Sequence, residues 1–149
     1  MRWLLLTTEP AATAHDALIV IDLYRARWGI EIYFKVLKTG LGLEQRQMES
    51  VDAMLGVVSL ALPTAVQVMR LRHMADIAPG ALWSTVLSTG QFAVLRRKSP
   101  RAKLTATATV EQVTYAVASL GGFLKSNKTP GWQTIYKGWA YLEVLTEGF

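Results

Sequence analysis

Residues 24–38 read YRARWGIEIYFKVLK and hold more polar chemistry than any other segment of the chain. An α-helix turns by about 100° per residue, and this spacing gathers the polar side chains on one face. That polar face consists of Tyr24, Arg27, Glu31 and Lys38, with Lys35 just beside them. An apolar stripe next to it is expected to pack into a core and consists of Leu23, Ile30, Phe34 and Leu37. The segment therefore predicts an exposed carboxylate flanked by cations.

Glu31 admits two interpretations. Arg27 and Lys35 flank it at i,i+4 spacing, which is typical of ion pairs on a solvated helix worth a few tenths of a kcal/mol each. The same spacing also fits a metal ligand beside a phosphate-binding face, because Mg²⁺ takes few protein carboxylates together with waters and phosphate oxygens. In that case the side chains of Arg27, Lys35 and Lys38 hold phosphates and Tyr24 donates a hydrogen bond. Spacing alone leaves both interpretations open.

Composition narrows the class of protein. The 149 residues are enough for one domain or part of a larger one, and a hydrophobic content of 51% supplies a core. A net charge of +5 favours an acidic partner, nucleic acid first, although a solvated basic surface explains it equally well. The absence of cysteine excludes disulfides and thiolate metal sites and is compatible with the cytoplasm.

The N-terminal third predicts the edge of a larger fold. Residues 2–7 are bulky and apolar and end at Glu9-Pro10, which predicts a short buried strand. No second strand run follows, so we expect the chain to start partway through a sheet-containing domain. Thr13 is a predicted N-cap with Asp16 completing a capping box. A helix is predicted from about residue 14 to 24, continuing or restarting through residue 39 with Gly40 as its C-cap.

The rest of the chain predicts helices. Residues 51–74 form a long candidate that carries no charge from 53 to 69, so a membrane span must be weighed. Pro63 and scattered polar residues favour a kinked helix buried in protein instead. Residues 96–103 predict a basic loop, and helices follow over residues 110–125 and 132–146. The aromatic residues after position 120 fit either an association surface or a helical core.

The spaced residues Tyr24, Arg27, Glu31 and Lys38 reproduce the Y-x2-R-x3-E-x6-K signature of bacterial cut-and-paste transposases. The chain resembles the insertion-sequence-four family, in its Tn-five-like form. Three flanking blocks resemble that family in the same order: RWLLLTTEP, VIDLYRARWGIEIYFKVLKTGLGLEQRQME and LGGFLKSNKTPGW. The resemblance covers nearly the whole chain.

The resemblance implies a mainly α chain of two parts. Residues 1–50 correspond to the end of an RNase H-like α/β catalytic domain, with one strand and the signature helix. Residues 51–149 correspond to a helical C-terminal dimerisation region. Family members hold two Mg²⁺ or Mn²⁺ ions with two aspartates and a glutamate, and Glu31 matches that glutamate. Tyr24, Arg27 and Lys38 match positions that grip transposon-end DNA, and Trp3 matches a tryptophan that stacks on a flipped base, although Trp3 equally fits a core residue.

The strands that carry the two aspartates lie upstream in the family and are absent here. The resemblance therefore implies the C-terminal portion of a DNA transposase, inactive alone, and it leaves open whether the chain is itself an enzyme. The alternative is a non-catalytic, inhibitory protein that pairs with full-length transposase. Expected partners are transposon-end DNA and a homodimer or heterodimer in the bacterial cytoplasm, without a membrane.

Overall fold

The computed structural model describes residues 4–40, 47–124 and 129–148, and the chain divides into two compact units, Met1–Phe34 and Lys35–Phe149. Helices dominate the described residues of both units, and no strand occurs in these ranges, so the mainly α prediction is confirmed. The α-helices are α1 (Ala14–Ala26), α2 (Trp28–Lys35), α3 (Val51–Ile77), α4 (Thr89–Lys98), α5 (Val110–Leu120) and α6 (Trp132–Glu147). Three shorter helical segments complete the described helical structure: a π-helical segment, Val36–Gly40, and two 3₁₀ turns, Trp83–Thr85 and Pro100–Ala102.

Helix α1 begins where the sequence predicts. The Thr13 hydroxyl accepts a hydrogen bond from the Asp16 amide at 3.1 Å, and the Thr13 amide donates to the Asp16 carboxylate at 2.9 Å. This reciprocal pair is the predicted capping box. The helix ends at Ala26, and the Arg27 amide donates to the Tyr24 carbonyl at 3.2 Å before α2 starts. The predicted helix therefore restarts rather than continuing without a break.

The prediction of a buried strand over residues 2–7 is wrong in its described part. Residues 4–7 belong to neither a helix nor a strand, and Leu4 and Leu6 are 99% and 104% exposed. A strand is stable only when neighbouring strands pair with it, and the described ranges supply none. Residues 2 and 3 lie outside the described residues.

The predicted burial of the apolar stripe is also wrong in the first unit. Leu23, Ile30 and Phe34 are 57%, 57% and 51% exposed, and neither α1 nor α2 contains a buried residue. Leu37, the last member of the stripe, is 6% exposed, and it belongs to the second unit. An apolar stripe becomes buried only against a complementary surface, and the described residues of the first unit, 4–34, provide none.

The core of the second unit is built by α5 and α6 with α3 and α4 packed against them. A Cβ atom at Gly138 would overlap the Val117 carbonyl, and one at Gly121 would overlap the Thr134 carbonyl. The two helices therefore cross in direct backbone contact. The largest fully buried side chains of the described residues are Trp139, Leu71, Leu95, Ile135, Leu142, Val36, Val68, Val110, Val113 and Val117.

Helix α3 is buried only in part, so the prediction of a buried helix holds only from Ala61 onward. Its buried residues are Ala61, Ala65, Val68 and Leu71, which pack towards α5 and α6. The helix runs through Pro63 without ending. Its length and composition would suffice for a membrane span, and only 22% of its most apolar window is buried. Eight of the first ten residues of α3 are exposed.

The C-terminal half corrects two further expectations. The basic residues predicted as a loop instead complete α4, which ends at Lys98, and continue into the 3₁₀ turn Pro100–Ala102. The aromatic side chains mostly form the core: Phe123, Tyr136 and Trp139 are 7%, 5% and 1% exposed. Of the two alternatives for this region, the structure favours the helical core.

Candidate DNA-contact and metal-ligand residues

Tyr24 and Arg27 lie at the junction between α1 and α2. Tyr24 is in the last turn of α1, and Arg27 is the residue that separates the two helices. The guanidinium carbon of Arg27 lies 5.7 Å from the centre of the Tyr24 ring, within the range of a cation–π interaction. Both side chains are exposed, with Tyr24 at 38%. The structure therefore brings together the first two residues of the signature on one surface.

Glu31 lies in the first turn of α2 and is exposed, as predicted. A negative charge is favourable there, because the free amides at a helix start carry partial positive charge. Arg27 makes no ion pair with Glu31 in the described part of the first unit, so this half of the i,i+4 ladder is not formed. The Arg27 guanidinium instead makes its cation–π contact with the Tyr24 ring.

Lys35 and Lys38 belong to the second unit. Lys35 ends α2, Lys38 lies in the π-helical segment, and both are exposed. Between them Val36 and Leu37 are 1% and 6% exposed, because this segment packs on α3 and α6. The buried pair fixes the backbone from which both lysines project. Trp3, the remaining predicted site residue, lies outside the described residues.

A comparison with protein families bears on this region. A family model described as "Transposase DDE domain" matches residues 3–62, which is less than half of the chain. The matched stretch is similar to a transposase DDE domain. It contains α1, α2, the π-helical segment and the first part of α3, and with them every predicted site residue. The match supports a DDE transposase fragment, in agreement with the resemblance carried by the signature.

Transposase DDE domains generally use divalent metal ions. The residues that the structure describes contain no group of three or more side chains able to hold a metal ion. A two-metal centre needs several carboxylates around the ion pair, and Glu31 is the one that the sequence predicts for this stretch. The described chain by itself therefore does not fit the metal pair of a DDE domain.

The second unit contains a groove that the sequence does not reveal. It has a volume of about 840 Å³ and lies between α3, α6 and the residues leading into α4. On its wall the Glu143 carboxylate accepts hydrogen bonds from the Trp139 indole at 2.8 Å and the Thr64 hydroxyl at 2.9 Å. Both oxygens are used inside the molecule, so this network ties α3 to α6. Only the tertiary fold brings Thr64 to the other two residues.

Proposed function

We propose that this chain is the C-terminal portion of a bacterial cut-and-paste DNA transposase of the insertion-sequence-four type. The observation that carries the proposal is the DDE-domain match over residues 3–62, which contains the whole Y-R-E-K signature. In this proposal the chain supplies the last acidic residue of the metal site, contacts with transposon-end DNA, and a dimerisation region. It acts in the bacterial cytoplasm and is inactive without the upstream aspartates.

The surface at Tyr24 and Arg27 supports the DNA-contact role. A guanidinium in a cation–π contact still presents N–H donors, which can form paired hydrogen bonds with phosphate oxygens. Because Arg27 is not neutralised by Glu31, its charge remains available to an anion. Lys35 and Lys38 add positive charge on an anchored segment, and Trp3 would stack on a flipped base.

The exposure of Glu31 supports the metal-ligand role. In the intact enzyme two upstream aspartates would complete the ligand set for Mg²⁺ or Mn²⁺, and the bound ions would supply Lewis-acid chemistry at DNA phosphates. The part assigned to this chain is to present one carboxylate from the first turn of α2. The exposed Leu23, Ile30 and Phe34 would then be covered by the rest of the catalytic domain.

A charge-neutral substitution tests this role in a full-length transposase that contains this chain as its C-terminal portion. We expect Glu31→Gln to abolish metal-dependent strand cleavage and to leave duplex binding unchanged, because the amide is isosteric but is a poor metal ligand. Glu9→Gln is the matched control, since Glu9 is also exposed and lies outside the signature. Cleavage by the Glu31→Gln protein at the rate of the control would contradict the proposal.

Exposed apolar side chains on α3 favour a second function, a non-catalytic partner that pairs with full-length transposase and blocks synapsis. Val51, Leu55 and Val66 are 67%, 55% and 52% exposed, and they lie within about 60° of one another around the helix axis. Exposed apolar patches of this kind mark interaction surfaces. This function uses the second unit and does not require a complete metal site.

Light scattering followed by mixing tests the second function. The chain should run as a dimer, and adding it to an active homologous transposase should reduce excision in proportion to its concentration. Leu55→Glu should remove the inhibition without unfolding the chain, because Leu55 is 55% exposed. Gln133→Glu, which adds the same charge at an exposed position of α6, is the control. An unchanged excision rate with the native chain would eliminate this function.

A further inference from the structure

A strongly basic surface lies at the end of α4, apart from the signature residues. We call residues 96–103 the basic segment; its cations are Arg96, Arg97, Lys98, Arg101 and Lys103, and all are exposed. The sequence contains no acidic residue between Asp76 and Glu111. The positive charge of the segment is therefore not balanced by acidic residues near it in the sequence.

Helix electrostatics explains only part of this charge. Cations in the last turn of a helix stabilise it by about 0.3–1 kcal/mol each, which accounts for the three that end α4. Arg101 and Lys103 lie beyond the end of α4, where this effect has faded. Neither they nor Lys98 form an ion pair with any residue that the structure describes. Their mutual repulsion would be relieved by an external anion.

The basic segment is held on a rigid base. The rings of Trp83 and Phe92 stack with centres 3.9 Å apart and planes 4° from parallel, and the Arg96 guanidinium carbon lies 5.8 Å from the Phe92 ring. The Trp83 indole donates to the Ala106 carbonyl at 2.9 Å, which fastens the chain that follows the segment. Because these contacts restrain the backbone on both sides, binding an anion would order few additional groups.

Lys103 ends the segment in an unusual conformation. Its φ angle of 48° is left-handed, which costs a residue other than glycine about 1 kcal/mol or more. The Lys103 amide donates to the Pro100 carbonyl at 3.2 Å, and the next residue, Leu104, is 7% exposed. The surrounding contacts therefore hold this backbone in place. The lysine projects from a fixed turn, not from a flexible tail.

We propose that the basic segment is a second nucleic-acid contact, which binds the phosphates of duplex DNA without reading its sequence. The inference rests on the proposed function, because it extends the DNA contact from the signature residues to the helical unit. Phosphate contacts of this kind fix position and supply affinity but carry no sequence information. Amphipathic insertion into a lipid surface is less suited to the segment, since that mode of binding needs an apolar side. Among the described residues, no large apolar side chain between Leu82 and Leu124 is exposed.

Salt-dependent binding of a labelled DNA duplex of arbitrary sequence to the full chain tests this inference. The variant Lys98→Gln/Arg101→Gln/Lys103→Gln removes three charges from exposed positions and should keep the native circular dichroism spectrum. The matched variant Arg27→Gln/Lys35→Gln/Lys38→Gln removes three charges from the signature. Fluorescence anisotropy between about 50 and 200 mM KCl gives the slope of log K against log salt.

We expect the basic-segment variant to weaken binding at least about tenfold and to reduce the slope by about 2.7, since each lost phosphate contact removes about 0.9. The loss should be the same for unrelated duplex sequences. An unchanged slope, or no binding by the native chain, overturns the inference. A slope lowered only by the signature variant overturns the inference about the basic segment but leaves the proposed function intact. A slope lowered only by the basic-segment variant supports the inference and counts against the signature contact. Tighter binding to anionic phospholipid vesicles than to DNA also overturns it.

Discussion

Replacing Gly138 by alanine should destabilise the second unit through the crossing of α5 and α6. The added Cβ would overlap the Val117 carbonyl and would lie 3.1 Å from the Gly121 nitrogen. Both neighbours are backbone atoms, so no side chain can rotate away to make room. The two helices would have to separate, which would loosen the packing of the buried Ile135 and Trp139.

The expected magnitude combines two opposing contributions. Glycine in a helix interior is about 1 kcal/mol less favourable than alanine, so the substitution gains that amount. Inserting a methyl group into a tightly packed contact costs about 1–3 kcal/mol, and more when backbone must move. We expect a net loss of about 2 kcal/mol or more, which for a domain of this size lowers the unfolding midpoint by roughly 8 °C.

Gly56→Ala provides the matched control. Gly56 lies within α3, and a Cβ added there would have no heavy atom within 4 Å. The same chemical change should therefore stabilise the helix by about 0.5–1 kcal/mol. Urea titration followed by far-ultraviolet circular dichroism should move the two midpoints in opposite directions. A Gly138→Ala protein whose urea midpoint equals or exceeds that of the native-sequence protein would refute the direct backbone contact.

Three further outcomes can be measured on the same chain. Trp139→Phe should lower the free energy of unfolding by about 1–3 kcal/mol in the urea titration, because Glu143 loses a buried donor at 2.8 Å. Hydrogen bonds from the Thr13 side chain and backbone lower the pKa of Asp16 below 3.8. The Asp16 carboxylate therefore stabilises α1 above pH 3.8, and this stabilisation is lost as the pH falls through the lowered pKa. NMR shifts of the Asp16 carboxyl carbon should show the lowered pKa, and Asp16→Asn should abolish this pH dependence. Glu31→Gln should change stability by less than about 0.5 kcal/mol, and an insoluble variant would contradict its exposed placement.

The local elements could be predicted because their signals are local. The Thr13 capping box depends on neighbouring residues, and it occurs where the sequence predicts it. The extension of α4 to Lys98 was missed, although arginine and lysine are good helix formers and the proline follows the helix rather than interrupting it. The crossing of α5 and α6 needs glycines from two separate helices to meet, which no local pattern specifies.

Burial was the least predictable property. An apolar stripe shows which side chains favour contact with other apolar groups, but it does not say what covers them. Leu23 and Phe34 have the spacing of core residues and are nevertheless exposed, and the same is true of Leu60 on α3. The residues of α3 that are buried include Ala61 and Ala65. Their side chains are smaller than that of leucine, and small side chains let helices approach closely.

The candidate site was predictable only where it is contiguous in sequence. Signature spacing placed Tyr24 and Arg27 on one surface, and the contact between them agrees with it. The sequence allowed either a continuous helix or a restart near Arg27, and the structure has a restart. The expected ion pair between Arg27 and Glu31 is not formed. A metal centre made from several distant chain segments cannot be read from one of them.

The uneven distribution of the core has a consequence for amide hydrogen exchange. Among the described residues every buried apolar side chain lies at or after Val36, and α1 and α2 contain none. Amides in α1 and α2 should therefore take up deuterium through brief local opening, whereas those in the middle of α5 should wait for cooperative unfolding of the second unit. Mass spectrometry of peptic fragments would then show a step in deuterium uptake near residue 35, without any substitution.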